Sequence, residues 1–327
     1  MTDRLSMLHE WLRVDLDMAN YELAPASQDA SFRRYFRIVS SETSYIVMDA
    51  PPEKEDCTAF LSVTERLQKC DVNVPEVFAR NLRQGFLLLS DLGTELYLDK
   101  LNDENADGLY SDAIRTIVKM QMGGSVKDLP AYNLSLLMQE MNLFRDWLVE
   151  KHCRLSLNEA ELKQLELVFQ LLTESALKQT VVFVHRDFHS RNLLLNKINP
   201  GVIDYQDAIS GPQSYDLVSL LKDCYIKWPL SKIDAWFQLY YDQASESADL
   251  EISRDEFKRG FDLMGVQRHL KASGIFARLN HRDGKTDYLR DIPRTLSYIV
   301  ELENDYPELK MLIELLLMKV LPALERK

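Results

Sequence analysis

The chain has 327 residues, of which 46% are hydrophobic and 28% charged, enough to bury a sizeable core and to form two domains of about 150 residues each. Its formal net charge of -12 argues against sequence-independent binding of nucleic acid, which requires a dense cationic surface. No apolar run is long enough to span a bilayer, and residues 1–20 alternate charged and apolar groups, so we expect a cytoplasmic protein. The cysteines lack CxxC spacing, which favours reduced structural thiols over a metal site or disulfides.

The first 90 residues have the pattern of a small sheet with one main helix. Leucines recur at helical spacing in residues 5–12 and predict a short amphipathic helix at the start. The segments YELAPA, YFRIV and SYIVM predict an antiparallel meander, in which SQDASFRR is the loop between the first two strands. Apolar residues share one face of residues 55–70 and predict a helix, and VNVPEVFA and GFLLLS predict two further strands.

From residue 91 onwards the pattern is mostly helical, and SDLG, residues 90–93, marks the predicted boundary. An S-x-x-E capping box from Ser156 to Glu159 predicts where the last of three long amphipathic helices begins. The runs VVFV, NLLL and GVI are too short for helices and predict strands that hold loops. The expected fold class is therefore α+β, with a small antiparallel sheet in residues 1–90 and a larger, mostly helical part in residues 91–327.

The stretch VHRDFHSRNLLL, followed by GVIDYQDA, carries the strongest chemical signal in the chain. Phosphoryl transfer from ATP requires a group that orients the attacking hydroxyl and accepts its proton, and cations that neutralise the phosphates. Asp187 and Asn192 have the spacing that kinases use for the base and one magnesium ligand, and Asp204 follows an apolar strand as a second ligand should. His185 is expected to orient the loop. The alternative is that Asp187 is an ordinary turn residue and Asn192 a cap.

HRDFHSRN resembles the HxDxxxxN motif of the aminoglycoside phosphotransferase family of small-molecule kinases, and IDYQDAISGPQSYDL resembles that family's Asp-containing segment. The resemblance implies a two-lobed protein-kinase-like fold, ATP and Mg²⁺ as cofactors, Asp187 as the catalytic base, and Asn192 and Asp204 as the metal ligands. It also implies that Asp216 supports the catalytic loop, although a helix N-cap role for Asp216 is equally compatible. His189 stands where protein kinases usually carry lysine, which favours the small-molecule branch.

The nucleotide-binding part, residues 1–90, departs from the kinase pattern. The strand that should present a lysine to the phosphates ends in Met48 and Asp49 instead. Arginine suits phosphate through its permanent charge and planar fork of donors, so the neighbouring loop and hinge supply the candidate nucleotide-binding residues. These candidates are Ser31, Arg33, Arg34, Leu88 and Ser90. The open alternatives are that the arginines form a solvated hairpin face, or that the chain is a nucleotide-binding pseudokinase with a regulatory role.

A second cluster of positive charge lies in RHLKASGIFARL, residues 268–279, and YLRDIPR, residues 288–294. In an acidic protein this cluster suggests an anionic partner in the substrate-binding part, residues 91–327, although helix surfaces also carry such residues routinely. The candidate substrate-binding residues are Arg268, Lys271, Arg278 and Arg290.

Four segments, DASFRRYFR, MDAPP, LLSDLG and KASGIFARL, together resemble the bacterial kinases of N-acetylmuramate and N-acetylglucosamine. The resemblance implies transfer of phosphate to the anomeric hydroxyl of an amino sugar in peptidoglycan recycling, giving a sugar 1-phosphate. One of the four candidate cations would then pair with the lactyl carboxylate of N-acetylmuramate. Aminoglycoside, choline-type and homoserine-type kinases remain alternatives, and the oligomeric state is left open.

Overall fold

The computed structural model describes residues 3–27, 32–40, 43–247 and 253–326. The chain divides into two compact units, Met1–Glu95 with Leu194–Asp207 and Leu96–Leu193 with Ala208–Lys327. The predicted boundary at SDLG precedes Glu95 closely, but residues 194–207, assigned from the sequence to the second part, group with the first unit. Across the described ranges, no helix has the length and apolarity needed to cross a membrane, and no disulfide joins the cysteines.

The first unit contains the predicted meander. Its five strands form one antiparallel sheet in the order β1-β2-β3-β5-β4. The elements are α1 (Arg4–Glu10), β1 (Glu22–Ser27), β2 (Arg34–Ser40), β3 (Thr43–Asp49), α2 (Cys57–Gln68), β4 (Val77–Asn81) and β5 (Phe86–Ser90). The expected opening helix, the helix in residues 55–70 and all five strands are therefore confirmed.

One face of this sheet is buried by α1 and the π-helical turn that follows it. Leu8 and Trp11 pack there against Ile38, Val47 and Phe86. Successive side chains of a strand point to opposite faces, so the odd-numbered residues of β2, such as Arg37, lie on the other face of the sheet. Along β2, even-numbered side chains therefore face α1, and odd-numbered side chains lie on the opposite face of the sheet.

The second unit is mostly helical. Its core strands are β6 (Val181–Val184) and β9 (Ile209–Pro212), which pair antiparallel, and two short strands lie between them in sequence, β7 (Leu193–Leu194) and β8 (Gly201–Val202). The helices are α3 (Tyr97–Lys100), α4 (Ala106–Gly123), α5 (Leu134–Leu143), α6 (Glu159–Lys178), α7 (Tyr215–Leu221), α8 (Leu230–Ser247), α9 (Arg254–Asp283), α10 (Ile292–Val300), α11 (Lys310–Leu315) and α12 (Leu321–Glu325). The α+β class predicted from the sequence is confirmed.

The capping box of α6 differs from the prediction. The Asn158 side chain accepts the Glu161 amide at 3.0 Å, and the Glu161 carboxylate accepts the Asn158 amide at 3.0 Å. The box predicted from Ser156 to Glu159 is therefore wrong, because the residue with the extended backbone of an N-cap is Asn158, and the helix begins directly after it.

Helix α9 is the long central helix of the second unit, and it approaches the end of α5 at backbone distance. A Cβ atom on Gly274 would lie 2.3 Å from the carbonyl carbon of Leu143 and 2.5 Å from the amide nitrogen of Phe144. Backbone atoms cannot move aside as a flexible side chain can, so glycine is required at this crossing.

We expect Gly274→Ala to lower the free energy of unfolding by about 3 kcal/mol, because overpacking at this crossing forces the two elements apart. Gly108→Ala is the matched control: Gly108 lies in α4, and nothing lies within 4 Å of a Cβ built there. Its better helix propensity should raise the free energy of unfolding by about 0.5–1 kcal/mol. Urea denaturation of the two variants measures both values, and equal stability would contradict the close crossing.

Candidate active site

The loop after β6 is held by one carboxylate from α7. Asp216 accepts the backbone amide of His185 at 2.7 Å and that of Arg186 at 3.0 Å. Arg186 has a φ of 82°, in the left-handed region that residues with a side chain rarely adopt. The two hydrogen bonds therefore fix an otherwise unfavourable turn directly before Asp187.

The loop closes on itself around Asp187. The Nδ1 atom of His185 accepts the Asp187 amide at 3.2 Å, so the ring proton of neutral His185 lies on Nε2. The Asp187 carbonyl accepts the His189 amide at 3.1 Å and the side-chain amide of Asn192 at 3.0 Å. The structure thus brings together Asp187, Asn192 and His185, three of the residues that the motif singled out.

Cations determine the charge state of Asp187. Burial by itself raises the pKa of this carboxyl, but nearby positive charge, first that of Lys271 and also that of Arg268, outweighs burial and holds the pKa below its ordinary value. Asp187 is therefore ionised at neutral pH and able to accept a hydrogen bond from a hydroxyl group. Burial lowers the pKa of His189 despite Asp223 and Asp187, so this imidazole is neutral at the same pH.

Lys271 belongs to a buried polar network centred on Glu140 of α5. Its ammonium lies 3.1 Å from a Glu140 oxygen and donates to the Tyr215 hydroxyl at 2.8 Å. Glu140 also pairs with Arg186 of the loop and accepts from Tyr132. Burial raises the pKa of Glu140, but Lys271 and Arg186 outweigh it and keep the carboxylate charged. The positive charge of Lys271 is thus already balanced inside the protein.

The other predicted substrate-binding residues occupy different surroundings. Arg268 is buried, its Nη1 donates to the Cys224 sulfur at 3.6 Å, and its Nε has no hydrogen-bond partner. Arg278 is half-buried, and its charged neighbours are Arg282 and Asp283. Arg290 is exposed in the short 3₁₀ segment that follows α9. The structure therefore sets Arg268 and Lys271 in the electrostatic surroundings of Asp187, but not Arg278.

A group that sequence reasoning missed adjoins the loop. The Arg191 guanidinium lies over the Tyr225 ring, 4.3 Å from its centroid, and 5.5 Å from the Tyr288 centroid. Asp223 ties this group to the loop: it accepts the Ser190 amide at 2.9 Å and the Tyr225 amide at 2.8 Å. The only signal in the sequence was that Arg191 lies inside the motif.

In the first unit, β3 ends at Asp49, and it has no lysine of the kind that a kinase presents to the phosphates from this strand. This carboxylate is fully buried and accepts from Nε of Arg4 at 2.9 Å and from Nε of Arg34 at 3.0 Å. Arg34 pairs with Asp49 across β2 and β3, and both lie on the face that α1 covers. Arg33 instead approaches Glu55, with a nitrogen–oxygen distance of 3.9 Å.

The predicted hinge residues take part in the sheet. Leu88 pairs with β3 on one side and β4 on the other. Ser90 donates its amide to the Glu76 carbonyl at 2.9 Å and accepts the Glu76 amide on its hydroxyl at 2.9 Å. Their backbone groups are therefore engaged within the first unit. Ser31 lies outside the described residues.

Two oxygen-bearing side chains fit the chemistry of a magnesium ligand. The amide nitrogen of Asn192 is used by the Asp187 carbonyl, which turns the amide oxygen to the opposite side. Asp204 of the first unit follows β8 with a φ of 63°, and one of its oxygens accepts from Gln206 at 2.8 Å. Mg²⁺ prefers such hard oxygen donors, so the residue types fit the metal.

Burial raises the pKa of Asp216 to about 7, since the two backbone hydrogen bonds that favour the charged form offset only part of the desolvation. In the folded state the protonated form of Asp216 therefore predominates only below about pH 7. The stabilisation of the fold that comes from this raised pKa is complete below the ordinary value of 3.8. It is lost as the pH rises through about 7.

We therefore expect the unfolding free energy of the unchanged protein, minus that of Asp216→Asn, to fall as the pH rises from 4 to 7. Asparagine cannot titrate, so the subtraction removes the pH dependence of all other groups. Urea titrations of both proteins across this range provide the measurement. A difference that is flat or that rises with pH would contradict the raised pKa.

Comparisons with known proteins show the family and the fold of this chain. The model of the phosphotransferase enzyme family matches residues 22–250. A Pseudomonas putida protein named N-acetylmuramate/N-acetylglucosamine kinase is 46% identical over 295 residues, covering 90% of this chain and 87% of its own length. A protein of the same name from Neisseria meningitidis is 40% identical over 316 residues, covering 94% of each chain.

Solved structures show the same fold at low sequence identity. The Plasmodium vivax ethanolamine kinase superposes with a TM-score of 0.65 at 10% identity, covering 90% of this chain and 86% of its own. The streptomycin–ATP ternary complex of the aminoglycoside phosphotransferase APH(2'')-IIa gives a TM-score of 0.58 at 18% identity, covering 89% and 97%. The two-lobed protein-kinase-like fold expected from the sequence is confirmed.

Proposed function

Because the chain belongs to the phosphotransferase enzyme family, we propose that it transfers the terminal phosphoryl group of ATP to the anomeric hydroxyl of N-acetylmuramate and N-acetylglucosamine. The product is the sugar 1-phosphate, as peptidoglycan recycling would use it. The observation that carries the chemistry is the closed loop around an ionised Asp187. The choice of acceptor is supported by the relative that is 46% identical over 90% of this chain.

Asp187 acts as the base in this proposal. The acceptor hydroxyl donates its hydrogen bond to the Asp187 carboxylate, which orients the oxygen toward the γ-phosphorus of ATP. A bond forms between that oxygen and phosphorus, the bond from the γ-phosphorus to the bridging oxygen breaks, and ADP leaves. The hydroxyl proton passes to Asp187. Asp216 and His185 keep the loop in position throughout.

The acceptor and the base suit each other. A carboxylate whose pKa is held below its ordinary value is a weak base, and it removes a proton efficiently only from a relatively acidic hydroxyl. An anomeric hydroxyl is more acidic than an ordinary alcohol because the ring oxygen withdraws electrons. Low basicity at Asp187 therefore favours transfer to the sugar's anomeric position over its other hydroxyls.

Asn192 and Asp204 would hold Mg²⁺, which when bound neutralises charge on the phosphate oxygens. For the cation that replaces the missing lysine, Arg33 and Arg34 both remain candidates: Arg34 pairs with Asp49 on the α1 face, and Arg33 lies 3.9 Å from Glu55. Leu88 and Ser90 border the hinge, with their own backbone groups used inside the sheet.

The Asp187→Asn variant tests the base. Asparagine keeps the shape of the side chain but cannot accept the proton, so turnover should fall by a factor on the order of 10² or more while the dissociation constant for ATP stays nearly unchanged. Asp242→Asn, an exposed aspartate of α8 that pairs with Gln238, is the matched control and should keep full activity. Full turnover by Asp187→Asn would contradict the assignment of Asp187 as the base.

The position of phosphorylation tests the reaction. Each sugar is incubated with ATP and Mg²⁺, reducing ends are assayed, and phosphorus–proton coupling in NMR locates the phosphate. We expect loss of the reducing end and a 1-phosphate. A 6-phosphate would refute the anomeric assignment, and turnover of an aminoglycoside, choline or homoserine but of neither sugar would refute the acceptor. ATP binding without any turnover would identify a pseudokinase.

A further inference from the structure

Arg191 is an arginine of the catalytic loop whose guanidinium lies close to two aromatic rings. Its guanidinium stacks over Tyr225 at 4.3 Å and faces Tyr288 at 5.5 Å. Tyr225 is fixed in turn, because its amide donates to Asp223 and its ring packs edge-on against His189, 5.3 Å between centroids. Arg191 therefore has a defined position before any ligand arrives.

Tyr225 also forms a side-chain hydrogen bond with Arg191, and the remaining N–H donors of the guanidinium are left for other partners. Aromatic rings contact the faces of a guanidinium, whereas its N–H donors point outward in the plane. Within the ranges that the structure describes, no carboxylate lies within ion-pair distance of Arg191, although Asp291 is near enough to help raise its pKa. Arg186, in contrast, pairs directly with Glu140. A preorganised, half-buried fork of donors matches the two oxygens of a carboxylate.

Two buried polar atoms of groups that surround Asp187 also lack hydrogen-bond partners in the described part of the chain. These are the Nδ1 atom of His189 and the Nε atom of Arg268. The charged groups around His189 are Asp223, Asp187, Arg268 and Arg191, so Arg191 shares surroundings with the base. Buried polar atoms of this kind are normally satisfied, and a polar ligand beside Asp187 would satisfy them.

The other cations considered for this task fit less well. Lys271 is balanced by Glu140, and Arg290 is exposed. Arg278 has Arg282 and Asp283 as its charged neighbours, not Asp187. Arg268 is only 5% exposed, which leaves little of its side chain for contact with a ligand. Arg191 alone among these combines partial exposure, a fixed orientation and a position on the loop that carries Asp187.

We propose that Arg191, held between Tyr225 and Tyr288, binds the carboxylate of the acceptor and sets the preference for an N-acetylated amino sugar that carries a carboxylate over one that does not. The inference rests on the proposed function and assigns its specificity-determining residue. N-acetylmuramate has a lactyl carboxylate that can accept hydrogen bonds from the Arg191 guanidinium. N-acetylglucosamine has no such group, so water would bind the guanidinium instead.

The test measures each protein variant on substrates with and without the carboxylate. Unchanged protein and Arg191→Gln are assayed for kcat/KM on N-acetylmuramate, on the same sugar with its lactyl carboxylate converted to a carboxamide, and on N-acetylglucosamine. We expect Arg191→Gln to lower kcat/KM for N-acetylmuramate by roughly 10- to 100-fold, the range for a charge-assisted pair. The carboxamide and N-acetylglucosamine should change less than about threefold, since neither offers a charge to lose.

Two further variants separate specificity from general damage. Arg282→Gln removes an exposed arginine at the end of α9 that pairs with its neighbour Asp283, and it should leave all three substrates unchanged. Arg191→Lys keeps the charge without the fork and should recover part of the N-acetylmuramate activity. Equal losses on all three substrates, or no loss on any, would overturn the assignment while the kinase function stands. Turnover of neither sugar by the unchanged protein would overturn the proposed function and this inference with it.

Discussion

The arrangement of the catalytic loop depends on one carboxylate that accepts two consecutive backbone amides. Asp216 bonds the amides of His185 and Arg186 and so keeps Arg186 in a left-handed conformation, which typically costs about 1–3 kcal/mol and persists only where surrounding contacts demand it. The direction of the chain at Asp187 follows from that turn. Without it, neither the contact from Asn192 to the Asp187 carbonyl nor the ion pair between Arg186 and Glu140 could form.

The buried charged residues of the second unit fall into two groups. Lys271 and Arg186 share Glu140, and the Ser190 amide and hydroxyl both bond Asp223, so these residues satisfy one another and hold the loop. Arg268 is different, because its Nη1 donates to a cysteine sulfur, which is a weak acceptor. Burial by itself lowers the pKa of the Arg268 guanidinium, but neighbouring groups that include Asp187 and Asp223 outweigh burial and keep it charged.

Local sequence patterns were enough to predict much of the fold and the central residues of the candidate site. The strands follow from alternating side chains, and the offset from Asp187 to Asn192 was readable because one short loop joins both residues. The capping residue of α6 was misread, since two overlapping patterns compete there and only the backbone conformation at Asn158 decides between them.

What the sequence could not reveal depends on long-range geometry. Arg34 faces α1 rather than the opposite surface because it pairs with Asp49, and a shift of one residue would exchange the two faces. Arg191 looked like an ordinary polar residue of a loop, since the two rings that hold it come from distant parts of the sequence. Residues 194–207 group with the first unit for the same reason: their contacts are remote in the chain.

The aspartate at the end of β3 has a consequence for chemical labelling. Amine-reactive nucleotide analogues mark kinases by acylating a lysine beside the phosphates, yet β3 contains no lysine and its terminal carboxylate is closed off by Arg4 and Arg34. Activity-based profiling with such reagents would find no acylation target on this strand.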